Sequence, residues 1–272
     1  MKEDYRFPMG ISGGVEWVYS RALERKAAGC RHFFLTRQGG QSEGLFKSLN
    51  VAHGRGDLDA AVAGNRQRVV KELGLPLEPL TLRQVHGDKV VTVRKGDVER
   101  LLEEPPEADA YITSLRGVPL MVQTADCIPV VVCDTRTPAL GVIHAGWRGT
   151  VLSILWKTVI TMMDEFGTRP EDCFAAVGPG IGPECYEVGE EVRDAFNRSF
   201  PLYSGGLFSP AGGAHWNADL REANRRQLVD ARVRPDSVDV CPYCTHCEAG
   251  YFFSARRDGI NSGRQGAVAW LD

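Results

Sequence analysis

Residues 124–150, TADCIPVVVCDTRTPALGVIHAGWRGT, carry the reading that decides the fold. IPVVVCD is an apolar, β-branched run, TRTP has turn chemistry, and ALGVIHAGW is a second apolar run, so the stretch predicts a β-hairpin. With the turn centred near Thr135 and Arg136, antiparallel pairing sets Cys127 opposite or next to His144 at the open end. A thiol and an imidazole therefore meet there. The sequence GWRGT then opens a helix, read over residues 150–166 with Thr150 as N-cap and Gly167 as the stop.

Working outward, residues 15–20 and 32–36 read as strands. Between them and a helix over residues 58–73, stopped by Gly74, lies a Gly- and Ser-rich loop of about twenty residues, a length that is often functional. Residues 80–85 and 89–94 predict a strand–turn–strand with His86 in the turn. Further strands are expected in PPEADAYIT, GVPLMVQT, CFAAV, SVDVC, the aromatic run after CPYCTHC, and AVAWL at the end. Helices are expected over residues 189–199 and 217–231. Hairpins are frequent and βαβ alternation is not sustained, which favours an α+β class with mixed sheets over a doubly wound one. No repeat or linker divides the chain, so a single domain over residues 1–272 is expected.

The 272 residues have 43% hydrophobic and 25% charged content, as an ordinary globular protein does. A net charge of −3 argues against a nucleic-acid partner. No apolar run is long enough to span a bilayer. The start, MKEDYRFPMG, lacks the apolar core of a signal peptide. A cytoplasmic location without membrane association is the expectation, and the eight cysteines are then thiols, ligands or nucleophiles rather than disulfides.

His86, Cys127 and His144 each fall at a strand end or turn. Thiolate and imidazole suit zinc, and three protein ligands leave a fourth position for water or substrate. The same residues also fit a buried cysteine with two ordinary histidines, or a Cys127 nucleophile with His144 as base and Asp126 orienting it. Arg148, beside a helix start, suits a phosphate or carboxylate. Arg66, Asn50, His53 and Arg55 are further polar candidates if the long loop folds over the site. Cys241, Cys244 and Cys247 form CxxCxxC, a spacing that suits a structural zinc or part of an iron–sulfur cluster, with His246 near as a fourth donor; reduced thiols in a loop are the plainer account. Arg256 and Arg257 follow two aromatics and can pair with an anion.

Taken together, RQVHGDKV, TADCIPVVV, HAGWRGT, VGPGIGPECYEVG and CTHCEAGYFFSARRDGINSGRQ resemble, in that order, the family labelled multicopper polyphenol oxidase or laccase-like. Its members are also described as purine nucleoside phosphorylases and as peptidoglycan-editing factors. The resemblance runs over roughly residues 30–270. It implies a layered α/β/β/α sandwich, a zinc ion on His86, Cys127 and His144, and a phosphate or substrate contact at Arg66. It also implies phosphorolysis of adenosine, inosine and methylthioadenosine, and adenosine deamination, with purine nucleoside and phosphate as partners of a monomer or homodimer. CPYCTHC is richer in cysteine than the family pattern, and residues 202–216, with His215, stay unassigned.

Deamination fits the residues, since zinc lowers the pKa of a water that can attack C6 of a purine. No glutamate in these motifs offers a proton shuttle, which leaves Asp126 or a water. Phosphorolysis needs a phosphate cradle, for which Arg66, Arg148 and the 150–166 helix start are candidates. Copper enters only through the family label, and laccase chemistry fits worst, because it needs several coppers and many histidines and the chain has six. The remaining alternatives are a Cys–His hydrolase or amidase editing a peptidoglycan precursor, and a non-enzymatic metal-bound module.

Overall fold

The hairpin forms with strands Ile128–Asp134 and Ala139–Ala145, every residue of both being buried. Its turn closes on Asp134, whose Oδ1 accepts the N–H groups of Arg136 and Thr137 at 2.8 and 2.9 Å. That is the local side-chain bonding that makes Asp a turn former. The computed structural model describes residues 5–272, so the first four residues of the start read above lie outside the described residues.

The hairpin is the middle of a six-stranded sheet in the order Val238–Val240, Cys173–Val177, Ile128–Asp134, Ala139–Ala145, Ala110–Thr113, Val90–Val93. The outermost pair at each end is parallel and the inner pairs are antiparallel. A second, antiparallel sheet runs Met9–Ser12, Val15–Val18, Cys30–Leu35, Gln265–Leu271, Leu120–Thr124. A small third sheet joins Glu187–Val188, His215–Ala218 and Phe208–Gly212, and fills the unassigned segment, with His215 exposed on it.

Side-chain alternation explains the layering. Val131, Cys133, Leu140 and Val142 meet Phe34, Val122, Ala267 and Ala269 between the two large sheets. Their neighbours Val130, Val132, Ala139 and Ile143 face helices Ile154–Phe166 and Leu220–Asp230 on the other side. Phe33, Leu35, Met121 and Val268 pack with Val69 and Leu73 of helix Asp59–Leu73. The result is the expected α/β/β/α sandwich with mixed sheets. Leu140→Ala, fully buried between the sheets, is expected to cost about 2–5 kcal/mol, read as a lower denaturant midpoint.

Several local expectations differ. The helix predicted over 150–166 is broken: a short helix Trp147–Val151 ends at Leu152, Ser153 takes φ 64°, and Ile154–Phe166 starts afresh. Thr150 is therefore inside the short helix, not a cap, and its hydroxyl donates to the Gly146 carbonyl at 2.9 Å. Residues 80–85 form isolated bridges, at Leu80 and Arg83, instead of a strand. Residues 90–93 pair in parallel with Ala110–Thr113 rather than folding back. The aromatic run after the cysteines is no strand but leads to a short helix Ala255–Asp258, capped by Ser254. Hydrophobic content alone misled there, because Phe252 and Phe253 are buried from a loop.

Candidate active site

The register sets Pro129, not Cys127, opposite His144, and Ile128 opposite Ala145. Cys127 thus lies one residue beyond the hairpin's open end. His144 shares the strand face of Leu140 and Val142, so its ring lies in the edge of the inter-sheet layer. His86 enters from its turn with φ 61°. The metal-capable atoms of His86, Cys127 and His144 all lie within 4.8 Å of one another, and the two rings meet edge to face at 4.9 Å between centroids.

Asp109, fully buried, organises this group. Its Oδ1 accepts from the His86 N–H at 3.0 Å and from His144 Nδ1 at 2.8 Å. Its Oδ2 accepts from the Gly87 and Val85 N–H groups at 2.7 and 3.2 Å. Burial pushes this carboxyl up, but the bond and charge of His144 and the N–H groups of Gly87 and His86 outweigh it and hold it below its ordinary value. Engaging Nδ1 fixes the ring and leaves Nε2 as the nitrogen turned to Cys127, the arrangement that metal-binding histidines use. Burial likewise raises the Cys127 thiol, yet the charges and bonds of His144 and His86 pull it down on balance. A ready thiolate, a tethered imidazole and a second imidazole are a donor set that fits a metal such as zinc.

Gly146 makes room for this set. A Cβ there would stand 2.9 Å from His86 Cδ2 and 3.1 Å from Cys127 Sγ.

The three donors lie in the wall of a cavity of about 480 Å³. Arg55, Arg83, Arg256 and Arg264 also line it, with Tyr186 and Ile181 from the Gly- and Pro-rich stretch of residues 178–186, the Gly–Pro loop. Arg264 is buried, its Nη groups held by the carbonyls of Ile260, Ser262 and Gly263. Burial and the nearby Arg55 push its pKa down to about 10, so it stays charged at neutral pH. Arg256 stacks over Tyr186 at 5.4 Å and donates to the Glu187 carbonyl.

The other sequence candidates fall as follows. His53 and Arg55 line the cavity. Asn50 does not; it is buried, and its Oδ1 accepts from the N–H groups of Ala52 and Arg264, so it props the Arg264 backbone. Arg66 lines a separate cavity and is engaged by the Val51 carbonyl and Glu78. Arg148 is exposed, stacked over Trp147 at 4.6 Å. Asp126 does not orient His144. It has φ 90° and turns away, its oxygens accepting from Thr245, Ser254 and the Arg256 N–H. Arg257 is spent on the carbonyls of Thr245, His246 and Phe252 and on Asp258. The CxxCxxC set also regroups. Cys241 is buried between the sheets, and Cys185 from the Gly–Pro loop joins Cys244 and Cys247 instead. Asp109 and Arg264 were missed in the sequence. A lone acid opening the apolar AYIT strand was the available signal for Asp109.

A three-donor site in a cationic cavity, on a layered α/β/β/α frame, belongs to an enzyme. The chain belongs to the multi-copper polyphenol oxidoreductase laccase family, whose model matches residues 31–272. A purine nucleoside phosphorylase of Bacteroides thetaiotaomicron is 38% identical over 86% of this chain and 88% of its own. An enzyme of an unknown prokaryotic organism, named adenosine deaminase RL5, is 37% identical over 88% of this chain and 93% of its own. The crystal structure of YlmD from Geobacillus stearothermophilus superposes with a TM-score of 0.90 at 32% identity, covering 98% of each chain. Among the described residues no helix is long and apolar enough to cross a membrane.

Proposed function

We propose that this chain cleaves purine nucleosides by phosphorolysis, with zinc held by His86, Cys127 and His144. The observation that carries the reading is the placement of the three donors and four arginines around one cavity of nucleoside size. The names of the relatives supply the purine class. Bound zinc supplies a Lewis acid at this position. The chain's own groups do the rest. Arg256 and Arg55 hold the phosphate by charge and direction, and the buried Arg264 adds its charge from the wall. They take that role in place of Arg66 and Arg148, which lie outside the lining. Burial pushes the Tyr186 phenol up, so it is a neutral hydrogen-bond donor to the sugar or base. Ile181 and Leu82 give the base an apolar wall.

Adenosine deamination at the same site is the second reading, favoured by the donor set and by the RL5 relative. The lining contains no glutamate among the described residues, and three hydrogen bonds hold Asp126. Proton transfer would then fall to water. A cysteine hydrolase reading rests on the Cys127–His144–Asp109 relay, but it leaves the second imidazole, His86, without a task.

The test is product analysis with adenosine, inosine and methylthioadenosine, each with and without phosphate. Free base plus the sugar 1-phosphate, which is ribose 1-phosphate from adenosine and inosine and 5-methylthioribose 1-phosphate from methylthioadenosine, formed only with phosphate, is the expected result. No free base from any of the three would overturn the reading. Arg256→Ala is expected to raise the KM for phosphate roughly tenfold or more while changing the KM for nucleoside less, in keeping with about 1.5–3 kcal/mol for a charged hydrogen bond.

A further inference from the structure

A second group of thiols lies outside the site just described. Cys185 closes the short turn Pro183–Cys185 in the Gly–Pro loop, and Cys244 and Cys247 belong to the CTHC turn. Their three sulfurs lie within 4.8 Å of one another, with Cys185 and Cys247 at 3.2 Å. A tetrahedral zinc with Zn–S bonds of ~2.3 Å separates its sulfurs by about 3.8 Å, inside this span.

The surroundings of Cys244 point to a ligand. Its sulfur accepts the Gly182 N–H at 3.1 Å. A backbone N–H aimed at the sulfur suits a thiolate ligand, whose charge it stabilises. The CxxC turn wraps its own backbone around the first sulfur, and this aims the second sulfur, Cys247, at the same point. Gly182 brings the other loop to it. The loops are already joined there by a bridge between Gly180 and Cys244 and by the Thr245 N–H on the Gly180 carbonyl, at 3.0 Å.

We propose that Cys185, Cys244 and Cys247 form a second metal site that takes zinc through three thiolates, with a water in the fourth position. Cys247 is exposed and the other two are half-buried, so the ion enters from solvent and the fourth position faces it. On binding, the remaining thiol protons pass to solvent. The role is to fasten the Gly–Pro loop to the CPYCTHC loop. Tyr186 follows Cys185 directly and Ile181 lies on the same loop, both in the lining, so the ion braces one wall of the catalytic cavity.

The experiment uses the full chain, purified without oxygen, stripped, and reloaded with zinc or with cobalt(II) as the spectroscopic probe. Wild type is expected to hold two equivalents. Cys247→Ser and Cys185→Ser are each expected to hold one, and Cys127→Ala to keep the other. Because the second site has three thiolates to one, cobalt loaded into Cys127→Ala should give thiolate-to-metal absorption about threefold that of Cys247→Ser. Circular dichroism of the exposed Cys247→Ser variant guards against misfolding. Binding in Cys247→Ser and Cys185→Ser equal to wild type would overturn the proposal. So would a Cys185–Cys247 disulfide in the anaerobic protein, seen as two missing thiols. A single equivalent lost only in Cys127→Ala overturns this site and leaves the catalytic one standing. A single equivalent lost only in Cys247→Ser does the reverse.

Discussion

Asp109→Asn is expected to lose zinc affinity by 10–100-fold and to destabilise the fold by on the order of 3 kcal/mol, although it exchanges one atom. Each carboxylate oxygen of Asp109 accepts two hydrogens: His86 N–H and His144 Nδ1 at one, Gly87 and Val85 N–H at the other. An amide must turn its NH2 toward one of those pairs, setting donor against donor in a fully buried place. With the NH2 toward His144, the ring loses its anchor. With the NH2 toward Gly87, the turn that carries His86 loosens. Either way the ligands lose alignment. Zinc titration and a urea midpoint measure the two losses separately. Unchanged zinc affinity would remove Asp109 from the site.

Gly146→Ala is expected to abolish metal binding and activity while leaving the fold largely intact. The backbone here is extended, φ −77° and ψ 170°, so alanine meets no conformational strain. The cost is steric and local, because the new methyl would press on His86 and Cys127 together. A displacement of ~1 Å at a reacting centre costs about 100-fold in rate. Gly141→Ala, on the strand Ala139–Ala145 that leads into Gly146, is the control. Its Cβ would meet Thr158 and Met162 at 3.2 and 3.3 Å, so it should cost stability and spare the metal.

These two residues mark where the sequence could be read and where it could not. The hairpin was legible because its signals are local: β-branched runs, an Asp-initiated turn and a period of two. The meeting of Cys127 and His144 followed from it within two residues of the true register. Asp109 was invisible because its partners are backbone N–H groups in a turn over twenty residues earlier in the chain and an imidazole 35 residues later. Arg264 was hidden for a similar reason, since Asn50, 214 residues away, sets its backbone. The broken helix at Ser153 escaped because an apolar stretch keeps its period across a two-residue break. The cysteine spacing misled in a different way. Cys241 sits in register with Cys244 in the chain, but its strand carries it between the sheets, and a thiol from another loop takes its place.

The central claim is that one metal on His86, Cys127 and His144 carries purine nucleoside turnover. The most direct measurement is adenosine cleavage in phosphate by chelator-stripped protein, then by the same protein reloaded with zinc, beside Cys127→Ala treated alike. The account predicts no turnover without metal, recovery with zinc, and none at any zinc level in Cys127→Ala. Full turnover by the stripped protein, or by zinc-treated Cys127→Ala, would contradict it.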